Sequence, residues 1–361
     1  MKASLLLVLA GIAYGTAAAA QEPIKIGLSQ IASGPYADYW NRQVNKPAML
    51  AIDDRNAKGG VNGRKVVGIL EDNKGDATTG AAVAHKLIEI DKVNAIFVAP
   101  TPPALAALPI AEAAGVPVLS TSTSPKIGQS PWGAVAQPPA DRAGIGYAKF
   151  VAEHGLKHVA SIAEDNDSVA ISVNAFRSAL AKSGIELVDA ETYKAGSQDF
   201  TAQLTKIRAA QPELLLMQSA SAASYGFILK QMAELDFRPK YIITYYQITD
   251  PQVRQVAGDL VNGVYFLQVP VDAEWNARVF KPRMGYDADG NGALAYDALA
   301  IYLDAYAKAG TDDPKTVRQT MLDYQGYKGA VGAWGYNGQA VTQLQFQVAQ
   351  VAPGGGVTVI H

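Results

Sequence analysis

The chain has 361 residues, of which 49% are hydrophobic and 18% charged, and its formal net charge is −2. This length is enough for two domains with cores of their own, and the composition is that of a globular protein. The sequence has no basic run, so we expect no nucleic acid partner. Cysteine is absent, which excludes disulfides, zinc–thiolate sites and a lipid anchor on a cysteine.

The first twenty residues have the pattern of a secretory leader. A short positive start, Met1-Lys2, precedes an apolar stretch too short to span a bilayer, and small residues follow it. We therefore expect cleavage near Ala20 and export to the periplasm. No later run reaches the roughly 18 apolar residues of a membrane span, so none is expected.

Short apolar runs alternate with amphipathic stretches along the rest of the chain. Predicted strands in the first half are IKIGLSQI, RKVVGIL, NAIFVA and VPVLS, with helices in PAMLAIDDRNAK, ATTGAAVAHKLIEID and PALAALPIAEAAG. After about residue 140 the alternation restarts, with strands KHVASIA, IELVDAETY, ELLLM and KYIITY between helical segments. Such strands predict parallel sheets covered on both faces, and two such runs predict two doubly wound α/β lobes.

Two segments depart from this alternation. The final stretch, VTQLQFQVAQVAPGGGVTVIH, predicts two antiparallel strands joined by a Pro-Gly-Gly-Gly turn. Pro47 lies where the first helix should already be running, so it either starts that helix or kinks it.

Signatures of catalysis and of metal binding are missing. The sequence has no G-x-S-x-G, Walker A or H-E-x-x-H pattern, and its four histidines do not form a ligand set. We expect no catalytic residue, no cofactor and no metal. The segment DADGNGALAYDA, Asp287–Ala298, matches the start of an EF-hand loop, but Ala298 replaces the glutamate needed at position 12. This favours a polar turn that caps the next helix, with cation binding at 287–292 as the alternative.

Polar loops follow two neighbouring predicted strands. LSTSTSP, Leu119–Pro125, follows one, and APTPP, Ala99–Pro103, follows the strand before it and opens a helix. Ligands of open α/β sheets bind at this edge, so hydroxyls and free helix amides there could hold a carboxylate, although both loops could equally be capped turns. Aromatic residues follow other predicted strands, where they could form the wall of a small-molecule site or pack in the core or on the surface. They are Tyr36, Tyr39, Trp40, Tyr245 and Tyr246.

The segments IKIGLSQIASGPYADYW and AIDDRNAKGGVNGRKVVGILEDNKGD resemble the opening of leucine/isoleucine/valine-type periplasmic substrate-binding proteins of ABC transporters. GVPVLSTSTSP and LAYDALAIYLDAYAKAG resemble later landmarks of that family, so the resemblance covers essentially the whole chain after the leader. It implies a type I periplasmic binding fold, in which two lobes joined by a three-segment hinge close on a ligand. Lobe I would comprise 24–138 and 270–342, and lobe II 139–269 and 343–361. A monomer that serves a membrane permease is implied as well.

The resemblance also implies the site. The family's carboxylate anchors fall on Thr101, Thr121 and Thr123, and its first-loop aromatic residue falls on Tyr39. The full set of predicted ligand-binding residues is Thr101, Pro102, Thr121, Ser122, Thr123, Tyr39, Ser168, Ser221, Tyr246 and Asn291.

Two positions depart from the family pattern. Ser168 replaces a tyrosine, and Tyr246 stands where an acid would pair the ammonium of an amino acid ligand. A buried ammonium without a carboxylate costs several kcal/mol, so we expect an aromatic or other hydrophobic carboxylic acid as the ligand. Amino acid binding stays the alternative, with Glu164 or Asp165 pairing the ammonium. An exported hydrolase is a third reading, but no nucleophile–base pair is visible.

Overall fold

The computed structural model describes residues 22–360. The predicted leader, residues 1–20, lies outside them, so cleavage near Ala20 stays a prediction. Within the described residues, no helix combines the length and the apolarity needed to cross a bilayer.

Fourteen strands form two large sheets and one small hairpin. They are β1 (Ile24–Gln30), β2 (Val66–Asp72), β3 (Ala95–Val98), β4 (Val118–Ser120), β5 (Gly133–Val135), β6 (His158–Glu164), β7 (Glu186–Tyr193), β8 (Leu214–Gln218), β9 (Tyr241–Tyr245), β10 (Tyr265–Gln268), β11 (Tyr327–Gly329), β12 (Gly332–Trp334), β13 (Gln347–Val351) and β14 (Val357–Val359).

The first sheet is fully parallel, in the order β2-β1-β3-β4-β5, and in it Ile26 pairs with Gly68 on one side and Ala95 on the other. The second has the order β14-β13-β10-β9-β8-β6-β7, where β6 to β10 are parallel and β13 and β14 antiparallel. The antiparallel C-terminal pair agrees with the sequence prediction. The hairpin pairs β11 with β12.

Helices cover both faces of both sheets. They are α1 (Ala37–Trp40), α2 (Lys46–Ala57), α3 (Ala77–His85), α4 (Thr101–Ala114), α5 (Lys126–Gln129), α6 (Ala140–Glu153), α7 (Asp167–Lys182), α8 (Thr201–Ala209), α9 (Ala222–Glu234), α10 (Pro251–Ala257), α11 (Ala273–Trp275), α12 (Lys281–Met284), α13 (Gly290–Ala309) and α14 (Pro314–Leu322).

Pro47 stands in the first turn of α2, the helix predicted at PAMLAIDDRNAK, and helical structure already precedes it from Ala37. A π-helical segment, Asn41–Asn45, connects α1 to α2 just before the proline. Proline lacks an N–H and its ring crowds a carbonyl one turn back, and a widened turn accommodates both effects.

Each central strand contributes to two cores because alternate side chains point to opposite faces of the sheet. In β8, Leu215 and Met217 belong to one buried cluster, whereas Leu214 and Leu216 belong to the cluster on the other face. The four positions from Leu214 to Met217 therefore require apolar side chains, which explains why ELLLM has no polar alternation.

The chain passes between the two large sheets three times: after β5, after β10 and before β13. The two-lobed α/β class with three connecting segments is thereby confirmed. The lobe limits at 138, 269 and 342 stay a prediction.

Candidate ligand-binding site

A cavity of about 440 Å³ lies between the lobes, within the size range of small-molecule pockets. Its walls are made mainly by loops that follow strands, including those after β1, β2, β3 and β4 of the first sheet and after β6, β8 and β9 of the second. The location is the one expected for ligands of parallel α/β sheets.

Hydroxyl groups of the first lobe form a connected network on one wall. Ser120 Oγ donates to the Val98 carbonyl at 2.6 Å and accepts from the Ser122 N–H at 2.9 Å. The Thr101 and Ser122 hydroxyls are 2.7 Å apart, and Ser168 Oγ of the second lobe lies 3.3 Å from Thr101 Oγ1. These bonds fix the side chains of neighbouring strand ends in one place.

Thr121 is the residue of this wall with an unsatisfied group. It lines the cavity, and its buried Oγ1 has no hydrogen-bond partner among residues 22–360. Leaving a buried hydroxyl unsatisfied costs about 1–3 kcal/mol, so a ligand oxygen placed here would recover that energy.

The opening of α4 supplies fewer backbone donors than the sequence led us to expect. Pro100 is the N-cap, and Pro102 and Pro103 occupy the second and third positions, which leaves only the Thr101 N–H among the first three residues. The expected row of free helix amides is wrong. The first three residues of α4 therefore offer an anion one backbone N–H, and the other donors at this wall are side chains.

Tyrosines make the opposite wall. Tyr245 and Tyr246 have ring centroids 4.3 Å apart, and the Tyr245 hydroxyl accepts from Gln137 Nε2 at 2.8 Å. Tyr39 is buried against them and donates to Asp289 Oδ2 at 2.7 Å. Burial raises the pKa of Tyr246 well above its ordinary value, so this wall is neutral at physiological pH.

The two candidate acids for an ammonium occupy different environments. Glu164 is buried away from the cavity lining, and its Oε2 accepts from Ser219 Oγ at 2.7 Å and from the Ala220 N–H at 3.1 Å. Asp165 lines the cavity and is exposed. Tyr36 OH lies 3.5 Å from Glu164 Oε1, and burial together with this carboxylate raises the pKa of Tyr36 to about 12.

The EF-hand-like segment is a helix cap. Asp289 Oδ1 accepts from the N–H groups of Asn291 and Gly292, both at 2.9 Å, at the start of α13. The Asp287 carboxylate instead binds Lys281 and Asn276. Residues 22–360 contain no group of three or more His, Cys, Asp or Glu side chains placed to hold a metal.

Most of the predicted site residues lie around this one cavity: Tyr39, Thr101, Pro102, Thr121, Ser122, Thr123, Ser168, Tyr246 and Asn291. Ser221 is not among the lining residues. Its N–H donates to Ser219 Oγ at 2.9 Å, and Ser219 and Ala220 form the wall instead.

Several lining residues were missed from the sequence: Lys74, Asn166, Ser172, Gln218 and Gln247. Lys74 follows β2, so the same strand-end rule that selected Thr121 could have found it. Ser172 is inside α7, and no local signal marks it. The Asn166 side chain caps α7 by accepting from the N–H groups of Ser168 and Val169.

Two α/β lobes with a cavity between their polar strand ends are the architecture of proteins that bind a small ligand between two lobes. The chain matches the family model described as "Periplasmic binding protein" over residues 23–356, and it belongs to this family. The predicted family and fold class are confirmed.

Similar proteins include the leucine-, isoleucine-, valine-, threonine- and alanine-binding protein of Pseudomonas aeruginosa, 25% identical over 87% of this chain and 86% of that protein. A branched-chain amino acid transporter substrate-binding protein of Streptococcus pneumoniae, solved with isoleucine, has a TM-score of 0.84 and 22% identity, covering 94% and 99% of the chains. A solute-binding protein of an ABC transporter from Rhodopseudomonas palustris, solved with 3,4-dihydroxybenzoic acid, has a TM-score of 0.82 and 23% identity, covering 94% and 96%.

Proposed function

We propose that this protein is the solute-binding component of an ABC importer and captures a small aromatic or hydrophobic carboxylic acid between its lobes. The family supports the class of function, and the similar proteins named above are described as binding proteins. The proposal places the protein in the periplasm as a monomer that delivers its ligand to a membrane permease.

The observation that carries the choice of ligand is Tyr246. It is 4% exposed, packs its ring at a tilt against Tyr245 and stands where the resembled family has the acid that pairs an ammonium. The hydroxyl wall around Thr101 and Thr121 suits a carboxylate, and the neutral aromatic wall opposite suits a ring. Polar anchors at one end and aromatic surface at the other describe an aromatic acid.

Branched-chain amino acids are the second candidate because Asp165 lines the cavity with an exposed carboxylate. That group is available to an ammonium, whereas Glu164 already accepts two hydrogen bonds. The similar protein from Pseudomonas aeruginosa is named for amino acids of this kind.

A hydrolase is not favoured by the cavity. None of its described lining residues is a histidine, so the hydroxyls of Ser122 and Thr123 have no imidazole base. Turnover of a chromogenic ester by the purified protein would contradict the proposal of a binding protein.

Thermal-shift and calorimetric screening tests the ligand. Benzoate, 4-hydroxybenzoate and 4-hydroxycinnamate form one set, and leucine, isoleucine and valine form the other. A ligand at one hundred times its Kd adds about 2.7 kcal/mol to the unfolding free energy, which raises Tm by several degrees. We expect that rise with the aromatic acids. A rise with leucine and with none of the aromatic acids would overturn the proposed ligand.

A further inference from the structure

Lys74 is the cationic residue of the cavity. Among the described residues that line it, the other charged side chains are Asp165 and Asp167 of the second lobe, and no arginine is present. Lys74 belongs to the loop after β2, in the same lobe as the hydroxyl wall. Positive charge therefore comes from the first lobe and negative charge from the second.

The loop that carries Lys74 is tied to the strand end that carries Thr101. Asn73 Nδ2 donates to the Ala99 carbonyl at 2.8 Å and to Ser29 Oγ at 3.2 Å. A Cβ atom at Gly75 would lie 3.9 Å from Pro100 Cγ, so the two loops are in contact. These bonds place the Lys74 backbone beside the opening of α4.

The backbone at Lys74 is held in an unusual conformation. Its φ is +53°, in the left-handed region, and the turn is closed by hydrogen bonds from the Lys74 N–H to Asp72 and from the Gly75 N–H to Asn73. A lysine here costs more than a glycine or an asparagine would. The chain thus carries a long cationic side chain at a position whose backbone favours smaller residues.

The Lys74 ammonium forms no ion pair with any of residues 22–360. The lysines that form ion pairs within residues 22–360 are Lys86, Lys149, Lys206 and Lys281. Asp76 on the same loop accepts from Thr79 at 2.8 and 2.7 Å to cap α3, and these bonds, with a smaller contribution from the Lys74 charge, lower the pKa of Asp76. Lys74 is therefore available for a charge that enters the cavity.

We propose that Lys74 binds the carboxylate of the ligand together with the hydroxyls of Thr101 and Thr121, and that it selects anionic ligands over neutral ones. This rests on the proposed function, in which a carboxylate occupies the cavity. Hydroxyls can bind an amide as well as a carboxylate, whereas an ammonium adds a charge–charge attraction that only the carboxylate receives. Asp165 and Asp167 on the facing lobe disfavour the opposite orientation of the ligand.

The test compares Lys74→Gln, Lys74→Arg and the control Lys65→Gln, an exposed lysine of the same lobe that does not line the cavity. The probe is the acid that stabilises the wild-type protein in the screen above, with its amide as the neutral counterpart, since both ligand sets contain carboxylates. We expect Lys74→Gln to weaken binding of the acid by about five- to tenfold and to leave the amide unchanged. Lys74→Arg and Lys65→Gln should bind like wild type.

Ionic strength gives a second readout. Raising salt from about 0.05 to about 0.5 M should weaken acid binding by the wild type and have little effect on Lys74→Gln. If Lys74→Gln loses equal affinity for the acid and the amide, Lys74 pairs with Asp165 or Asp167 across the cleft. If Lys74→Gln binds the acid like wild type, Lys74 does not face the ligand. Either result overturns the proposal. Failure of the wild-type protein to bind either ligand set is a separate result, which overturns the proposed function and the role of Lys74 with it.

Discussion

An ion pair between the lobes should control how tightly the protein holds its ligand. Arg42 of the first lobe donates from Nη2 to Asp250 Oδ2 of the second lobe at 2.8 Å. The Asp250 side chain is 1% exposed and that of Arg42 is 17% exposed. Asp38 joins the cluster by binding Arg42 at 3.0 Å and accepting from Gln252 across the cleft at 3.1 Å. None of these four residues lines the ligand cavity.

Arg42→Gln would leave the Asp250 carboxylate buried without its cation whenever the lobes are closed. Removing one partner of a fully buried pair costs roughly 3–5 kcal/mol. We reduce this to about 2 kcal/mol because Arg42 is partly exposed and Asp250 keeps the hydrogen bond from the Gln252 N–H at 2.8 Å. When the lobes separate, water solvates the carboxylate, so the cost falls on the closed state. Because closure and binding are coupled, the affinity should fall about 30-fold.

Calorimetry measures the affinity, and small-angle scattering measures the fraction of closed protein at saturating ligand. Arg254→Gln is the matched control, because Arg254 pairs with Asp259 at 2.8 Å within one lobe and that carboxylate is largely exposed. The double variant Arg42→Gln/Asp250→Asn should lose less affinity than the sum of the single variants. The reasoning is refuted if Arg42→Gln lowers Tm without ligand and leaves the affinity within about a factor of two of wild type.

Three further substitutions test the site and the core. Thr123→Val should weaken ligand binding severalfold and leave Tm unchanged, because Thr123 lines the cavity; unchanged affinity in calorimetry would refute its assignment. Tyr246→Leu keeps an apolar side chain but removes the ring, so binding of aromatic acids should weaken about three- to tenfold, and an equal loss for leucine would speak against stacking. Asp297→Ala should lower the unfolding free energy by about 2–4 kcal/mol in urea titrations, because the Asp297 side chain accepts from the Ala330 and Val331 N–H groups and from Trp334 Nε1 at 2.7–3.0 Å, and alanine leaves these buried donors without a partner.

The pH dependence of stability gives a final prediction at the same carboxylate. Burial raises the pKa of Asp297 to about 7 in the folded protein, whereas an aspartate of the unfolded chain has a pKa of about 3.9. The folded protein therefore binds a proton at Asp297 more tightly than the unfolded chain does. Its contribution to the unfolding free energy should therefore fall as pH rises from about 4 to about 7. Urea titrations across this window should show a weaker slope in Asp297→Asn, and an identical slope would contradict the assignment.

Local sequence determined the alternation of strands and helices. The apolar run of β8 and the amphipathic pattern of α6 each reflect which side chains are buried within a few neighbouring residues. Such patterns can therefore be recognised without the tertiary structure. The same rule placed Thr101 and Thr121 together, because polar residues just after parallel strands reach the same sheet edge. The missing amides of Pro102 and Pro103 were also readable from the sequence, because proline has no N–H, and the expected row of helix amides overlooked them.

Tertiary structure alone decided how the two lobes face each other. Arg42 of the first lobe and Asp250 of the second are 208 positions apart, yet they are in contact. Glu164 does not line the cavity and accepts a hydrogen bond from Ser219, 55 positions away, and no short sequence pattern indicates this contact. Secondary structure follows from interactions over a few residues, whereas the cleft depends on three chain crossings between sheets and on the packing that orients the lobes.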